Sequence, residues 1–365
     1  MKDIIRWGII GCGDVTEVKS GPAFQRCDGS ALVAVMRRDA GRAADYAKRH
    51  DVPRWYDDAQ KLIDDPEVDA VYVATPPGSH MEYALRVAVA EKPCYVEKPM
   101  ARSHGECARM IEAFDRAKQP LFVAYYRRAL PRFVKVKERI DAGALGRVTG
   151  CRYRFIKRFS PNPTNAWRFN PEHSGGGLFL DIGSHVLDVL DHLLGPFVEY
   201  GGAASVGINS GVGVPPAHSR LEPQTRGRDA LATDARADAP VEDVVSLHFR
   251  TDRGVVGSGD WNFASSRDEE LLEIDGTEAH LSMGVLNRTP IELARRDGTN
   301  ETFDIIDPSH VQQPLIQQVV NTLLGRGECA STGTSAARTS AVMDAALSSF
   351  YGGRDDAFWT RARTR

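Results

Sequence analysis

Four stretches of this chain carry residues whose types and spacing suit chemistry. In "GIIGCGDV" (residues 8–15) Gly11 and Gly13 follow an apolar run, and Thr16 stands where a GxGxxG turn would place its third small residue. Glycine there permits a tight turn and lets pyrophosphate approach backbone N–H groups, while a helix opening near Asp14 and Val15 adds the positive end of its dipole. An ordinary strand-to-helix turn is the alternative. In "AVMRRDA" (residues 34–40) Met36 occupies the place where NAD-specific dinucleotide domains carry Asp or Glu, and Arg37 and Arg38 follow at once. A carboxylate there binds a ribose 2′-hydroxyl and repels a 2′-phosphate, whereas a guanidinium fork receives the phosphate. The pair predicts NADP(H) as the preferred cofactor with NAD(H) as the alternative; two solvated arginines opening a helix, with Asp39 turned inward, is the competing reading.

The third stretch is split between "TPPGSH" (residues 75–80) and "EKP" (residues 97–99). Pro76 and Pro77 stop a strand and stiffen a wall of the kind a flat nicotinamide ring needs, with plain turn punctuation as the alternative. Lys98 is either a donor to a reacting oxygen or a solvated loop lysine. The fourth is "LDIGSHVLDVLDHLLG" (residues 180–195), in which Asp181 and His185 share one face if the segment is helical. A carboxylate beside an imidazole orients the ring and favours its protonated form, which suits a general base of near-neutral pKa. A satisfied helix histidine competes with that reading. So does a metal site on Asp181, His185, Asp188 and His192, but the string has no recognised ligand spacing, and no metal is expected.

Such residues act together only if a scaffold gathers them. Short apolar runs at 4–10, 31–36, 70–75, 94–97 and 121–124 alternate with helix-period segments such as 81–90 and 107–117. Uninterrupted apolar strands between helices predict parallel βαβ units with both faces covered. Right-handed crossovers then give a doubly wound Rossmann sheet over residues 1–125. In such a sheet ligands sit outside the carboxyl ends of the strands, where all but the last of these stretches fall. After a helix at 131–142 the texture changes to longer strands at 148–159, 244–249, 254–263, 271–274 and 279–283, separated by turns such as "TDRG" and "RDGT". That predicts an α+β domain with an open, mostly antiparallel sheet over residues 126–365, closed by helices at 314–324 and 335–350. Residues 209–240, rich in Gly, Pro, Arg, Asp and Ala, read as a long loop.

Composition agrees. The chain has 365 residues, 42% hydrophobic and 26% charged, with a formal net charge of -3. Scattered lysines and arginines leave no footprint for nucleic acid or an anionic membrane. Six cysteines lie far apart without a CxxC pair, which argues against a zinc site or a disulfide framework. No signal-like start or membrane-length apolar run is present, so a cytoplasmic protein is expected.

The motifs "GIIGCGDV", "VYVATPPGSH", "YVEKPMA", "VAYYRR", "WRFNPEHSGGG" and "LDIGSHVLD", in this order, resemble the glucose-fructose oxidoreductase, inositol dehydrogenase and MocA family, written Gfo/Idh/MocA. The resemblance spans nearly the whole chain and is most specific in the pairing of EKP with the later GGG…D…H segment. It implies a nicotinamide-dependent oxidoreductase acting on a carbinol or carbonyl carbon of a sugar, sugar derivative or polyol. It also implies homodimers or homotetramers formed through the C-terminal sheet. By position, Lys98 matches the family's active-site lysine, Asp181 its acidic partner and His185 the residue that moves the proton. Gly11, Gly13, Asp14 and Val15 match the phosphate turn; Thr75, Pro76, His80 and Glu97 match positions lining the nicotinamide and its ribose. Trp167 and Arg168 match a "WR" at the crevice. Tyr125 and Arg127 fall where the family has "GY.R", but Ala124 replaces the glycine, and no catalytic role is assigned to them. A glycoside hydrolase working through transient oxidation, and a dinucleotide-binding regulator without chemistry, are the alternatives; neither has a motif of its own.

Overall fold

The computed structural model describes residues 3–159, 166–207, 241–354 and 358; the loop expected at 209–240 lies outside them. The first half is built from β1 (Ile5–Ile10), α1 (Asp14–Val18), α2 (Gly21–Arg26), β2 (Ser30–Met36), α3 (Ala40–Arg49), β3 (Arg54–Tyr56), α4 (Ala59–Ile63), β4 (Ala70–Val73), α5 (His80–Val89), β5 (Cys94–Val96), α6 (His104–Ala117) and β6 (Leu121–Val123). Its six strands pair in parallel in the order β3-β2-β1-β4-β5-β6. The order reverses between β1 and β4, which opens a crevice beyond their carboxyl ends. The strands are almost wholly buried because helices cover both faces, as the apolar runs require. The sequence reading passed over β3, α3 and α4. β3 has no apolar run, since "RWY" is an edge strand with Trp55 exposed.

The second half contributes α7 (Pro131–Asp141), β7 (Val148–Ile156), α8 (Pro171–Ser174), α9 (Ser184–Leu194), β8 (Phe197–Ser205), β9 (Val244–Thr251), β10 (Val256–Asn262), β11 (Glu269–Gly276), β12 (Ala279–Met283), β13 (Ile291–Arg295), β14 (Asn300–Phe303), α10 (Gln313–Leu323) and α11 (Gly333–Tyr351). Its eight strands run β14-β13-β12-β11-β7-β10-β9-β8, and every pair is antiparallel except β7 with β10. Alternating burial along β7, β9 and β10 gives one face to the core and the other to solvent.

The last two helices return to the first sheet. Ser331, just before α11, donates from Oγ to Val123 O at 2.7 Å, and Thr332 bridges Phe122. In α10, Gln317 accepts from Asp28 N at 2.8 Å and donates to Asp28 O at 3.1 Å. The spatial boundary between the two sheets therefore differs from the boundary in sequence.

Candidate active site

At the β1–α1 turn Gly11 has a φ of +91°, and a Cβ there would stand 2.7 Å from Thr75 Cγ2. Only glycine combines that backbone with that approach. Thr16, fully buried, explains its own presence: its hydroxyl accepts from Gly13 N at 3.0 Å and donates to Gly13 O at 2.8 Å, tying the turn shut. A Cβ on Gly13 would meet nothing closer than 3.9 Å and would project into the crevice. The N–H groups of Gly13 and Thr16 are spent within the turn, which leaves those of Asp14 and Val15 at the opening of α1, and the turn fits a pyrophosphate that takes the space a side chain would fill.

The crevice is a cleft of about 670 Å³ between the two sheets, and Gly13, Asp14, Val15, Arg37, Thr75, Pro76, Glu97, Lys98, Trp167, Arg168, Asp181 and His185 all line it. Gly11 supports the turn from beneath. Arg37 donates from Nη1 to Cys12 O at 3.2 Å, whereas Arg38 is exposed and does not line the cleft. Asp39 does not turn inward: it caps α3 by accepting from Arg42 N at 3.0 Å. His80 stands behind the crevice rather than on it. Fully buried, it sets Nε2 2.6 Å from Thr75 O and Nδ1 3.0 Å from Pro99 O, fastening one strand-end loop to the next. Burial holds its pKa below the usual value against the pull of those carbonyls. Glu97 is likewise enclosed, accepting from Tyr72 Oη at 2.5 Å, Gln312 Nε2 at 2.6 Å and Lys98 N at 3.0 Å.

Asp181 does not pair with His185 as its spacing predicts. A π-helical turn, Phe179–Gly183, precedes α9, and its wider winding breaks the one-turn register between the two residues. The Asp181 carboxylate instead accepts from Lys98 Nζ on one oxygen and from Arg168 Nε at 2.8 Å on the other. Lys98 Nζ also donates to Asp181 O at 3.2 Å. Burial would raise the Asp181 pKa, but Lys98 and Arg168 together hold it well below the usual carboxylate range. The lysine, the carboxylate and the imidazole thus meet in one cleft, with the acid holding the lysine.

Residues 5–125 match the family described as oxidoreductase family, NAD-binding Rossmann fold, and residues 133–282 match the GFO/IDH/MocA C-terminal domain. The chain belongs to the Gfo/Idh/MocA family. It is 36% identical to oxidoreductase P35 of Formosa agariphila over 94% of this chain and 98% of that one. It is 27% identical to 1,5-anhydro-D-fructose reductase of Ensifer adhaerens over 90% of this chain and 91% of that one. Among solved structures, a levoglucosan dehydrogenase in complex with NADH and levoglucosan shares the fold at a TM-score of 0.80 and 22% identity, covering 94% of this chain and 96% of that one.

As a Gfo/Idh/MocA oxidoreductase the chain binds its NAD(P) cofactor through the first sheet. His185 is 8% exposed, and its Nδ1 is buried without a hydrogen-bond partner. Burial, and then Arg127, Lys98 and Lys19, push its pKa well below the usual 6.5, so the ring is neutral at physiological pH and keeps a lone pair. The rings of Tyr125 and Tyr126 meet it edge-on at 6.4 and 5.4 Å. Among the described residues no group of His, Cys, Asp or Glu could hold a metal ion, and no helix is long and apolar enough to cross a membrane. Sequence reasoning missed Lys19, Tyr126, Lys157, Asn287 and Gln312, which also line the cleft, and left Arg127 without a role. Gln312 carries no local signal at all; it arrives from the end of the chain.

Proposed function

We propose that this enzyme transfers a hydride reversibly between a nicotinamide cofactor, NADP(H) by preference, and a carbinol or carbonyl carbon of a sugar, sugar derivative or polyol. The observation that carries the reading is the convergence of Lys98, Asp181 and His185 on one cleft beside the dinucleotide turn. The names of relatives agree: they include a levoglucosan dehydrogenase of Pseudarthrobacter phenanthrenivorans and a 1,5-anhydro-D-fructose reductase. When bound, the nicotinamide supplies the hydride acceptor or donor. In the oxidation direction neutral His185 takes the hydroxyl proton, and Lys98 donates a hydrogen bond to the same oxygen as negative charge develops there. Reduction reverses both roles. Asp181 fixes the ammonium of Lys98, and Arg168 holds the second carboxylate oxygen.

The NADP(H) preference is supported by Met36 at the end of β2, by Arg37 on the cleft wall and by the engagement of Asp39 as a helix cap. Calorimetric titration of NADPH and NADH on wild type and on Arg37→Ser/Arg38→Ser tests it. NADPH should weaken by about ten- to a hundredfold and NADH hardly change, with Arg37→Ser alone responsible for most of the loss. Equal losses for both cofactors, or a wild type preferring NADH, refute it. A panel of sugars and polyols assayed by reduced-cofactor absorbance tests the reaction itself, and silence across the panel refutes that. Six unpaired, buried cysteines suit a reducing compartment, and we place the enzyme in the cytoplasm. Association into homodimers or homotetramers through the C-terminal sheet is supported by its solvent-facing side and by exposed Val198 and Tyr200 on β8; light scattering checks it.

A further inference from the structure

The cleft holds more positive charge at its reacting end than a neutral polyol needs. The acids near that end already have protein partners. Asp181 serves Lys98 and Arg168, and Glu97 serves Tyr72, Gln312 and the backbone of Lys98. Glu270 is occupied as well, by the backbone N–H groups of Val285 at 2.9 Å, Leu286 at 2.5 Å and Asn287 at 2.6 Å and by Tyr153 Oη at 3.0 Å. Asp307 faces Arg132 at 3.9 Å.

Four cations on the cleft wall, Lys19, Arg37, Arg127 and Lys157, have no acid among the described residues; Lys19 follows α1 and Arg37 follows β2, beside the dinucleotide turn. Arg127 donates only to neutral groups, from Nε to Val285 O at 3.3 Å and from Nη1 to Tyr126 Oη at 3.1 Å, and its Cζ lies 5.1 Å from the Tyr126 ring centre. Three of the five guanidinium N–H groups, both on Nη2 among them, are left over. Lys157, just past β7, is exposed and its ammonium takes part in no hydrogen bond or ion pair with the described residues; alternation along the strand puts it on the face of Phe155, which also lines the cleft. The charges that act on His185 are all positive, from Arg127, Lys98 and Lys19. Uncompensated cations lining a concave, partly dry wall focus their field on whatever enters and favour an anion. An oxidised nicotinamide ring would add a further positive charge.

We propose that the substrate is a sugar acid, whose carboxylate is received by the free edge of Arg127 with Lys157 beside it, while its carbinol is presented to His185 and Lys98. This rests on the hydride-transfer reading and names the substrate class for it. A planar guanidinium edge matches a carboxylate, and the ammonium adds charge without demanding geometry. The phosphates of the cofactor have their own seat at the β1–α1 turn and Arg37.

The test is calorimetry on the enzyme saturated with reduced cofactor, so that alcohols form dead-end complexes. D-gluconate is compared with D-glucitol and D-glucitol 6-phosphate, and D-galacturonate with D-galactose. At least one acid should bind about ten- to a hundredfold more tightly than its neutral counterpart. Lys157→Gln, an exposed change, should narrow the gap. Arg127→Gln should abolish it, and Arg127→Lys should restore part of it. The proposal fails if neutral compounds bind as well as their acids, if the preference survives both glutamine variants, if the phosphate ester is preferred over gluconate, or if neither acid binds in the millimolar range. Turnover of neutral polyols with no preference for acids would overturn this inference and leave hydride transfer standing. Silence of every polyol and acid toward both cofactors would instead refute the hydride-transfer reading beneath it.

Discussion

Two carboxylate clusters grow from the same stretch, residues 180–195, and behave in opposite ways. Asp181 has a side chain 21% exposed at the cleft wall, shared by Lys98 and Arg168. Further along α9, Asp188 is 1% exposed and takes a two-bonded grip from Arg128, with Nε and Nη2 each at 2.8 Å. Asp191, fully buried, shares that arginine at 3.1 Å and holds Arg338 of α11 at 2.8 and 2.7 Å. Burial pushes Asp188 up to about 6 against the pull of Arg128, whereas the cations at the cleft carry Asp181 far below its usual value. The dry cluster fastens α9 to α11 and to the segment after β6. The other is partly exposed and borders the cleft. Residue type is the same in both; access to solvent and the number of cations decide whether the acid is a fastener or part of a reacting site.

The contrast breaks most sharply at Arg128. Arg128→Met leaves Asp188 uncompensated in the core and Asp191 with Arg338 alone, and should lower unfolding free energy by about 3–5 kcal/mol in a denaturant titration. A loss under about 1 kcal/mol would mean the buried network fastens nothing. At the cleft the deficit should appear in rate instead. Lys98→Met should cut turnover by about a hundred- to a thousandfold and leave dinucleotide affinity and the unfolding midpoint close to wild type. A drop below about fivefold at saturating substrate would remove Lys98 from the chemistry.

His185→Asn should lower carbinol oxidation by roughly a hundredfold and erase the acidic limb of kcat/KM. Because the folded pKa lies below the usual 6.5, the neutral base persists as pH falls through that value, and the wild-type limb lies beneath it. The sign carries to stability. The unfolded chain takes the proton first, so wild type loses stability as pH falls below the usual histidine range, and the variant should lose less. An unchanged limb in the variant would name another base. The smallest effect belongs to Asp181→Asn: the amide keeps an acceptor for Lys98 or Arg168 and the side chain borders the cleft, so stability should fall by less than for Arg128→Met, while turnover falls because Lys98 is no longer held. A stability loss matching that of Arg128→Met would erase the distinction between the clusters.

Local pattern determined a good deal of this protein. Apolar runs bounded by turn residues marked β1, β2, β4, β5 and β6, because a strand covered on both faces must be apolar throughout. Gly11, "TPPGSH" and "EKP" were legible as strand-end features for the same reason: each departs abruptly from such a run. The mostly antiparallel second sheet followed from alternation and turns, but β8, β13 and β14 and the parallel pairing of β7 with β10 went unseen. Tertiary structure decided the rest. The π turn before α9 broke the helical spacing of Asp181 and His185 and gave the acid to Lys98, a partner far away in sequence. Burial turned His80 from a wall residue into a clasp between loops. It also placed Asp188 and Asp191 in the core and delivered Gln312 and Arg127 to the cleft. Periodicity encodes which face of an element is dry. It does not encode which charged group waits across the gap, because that depends on how separate elements pack.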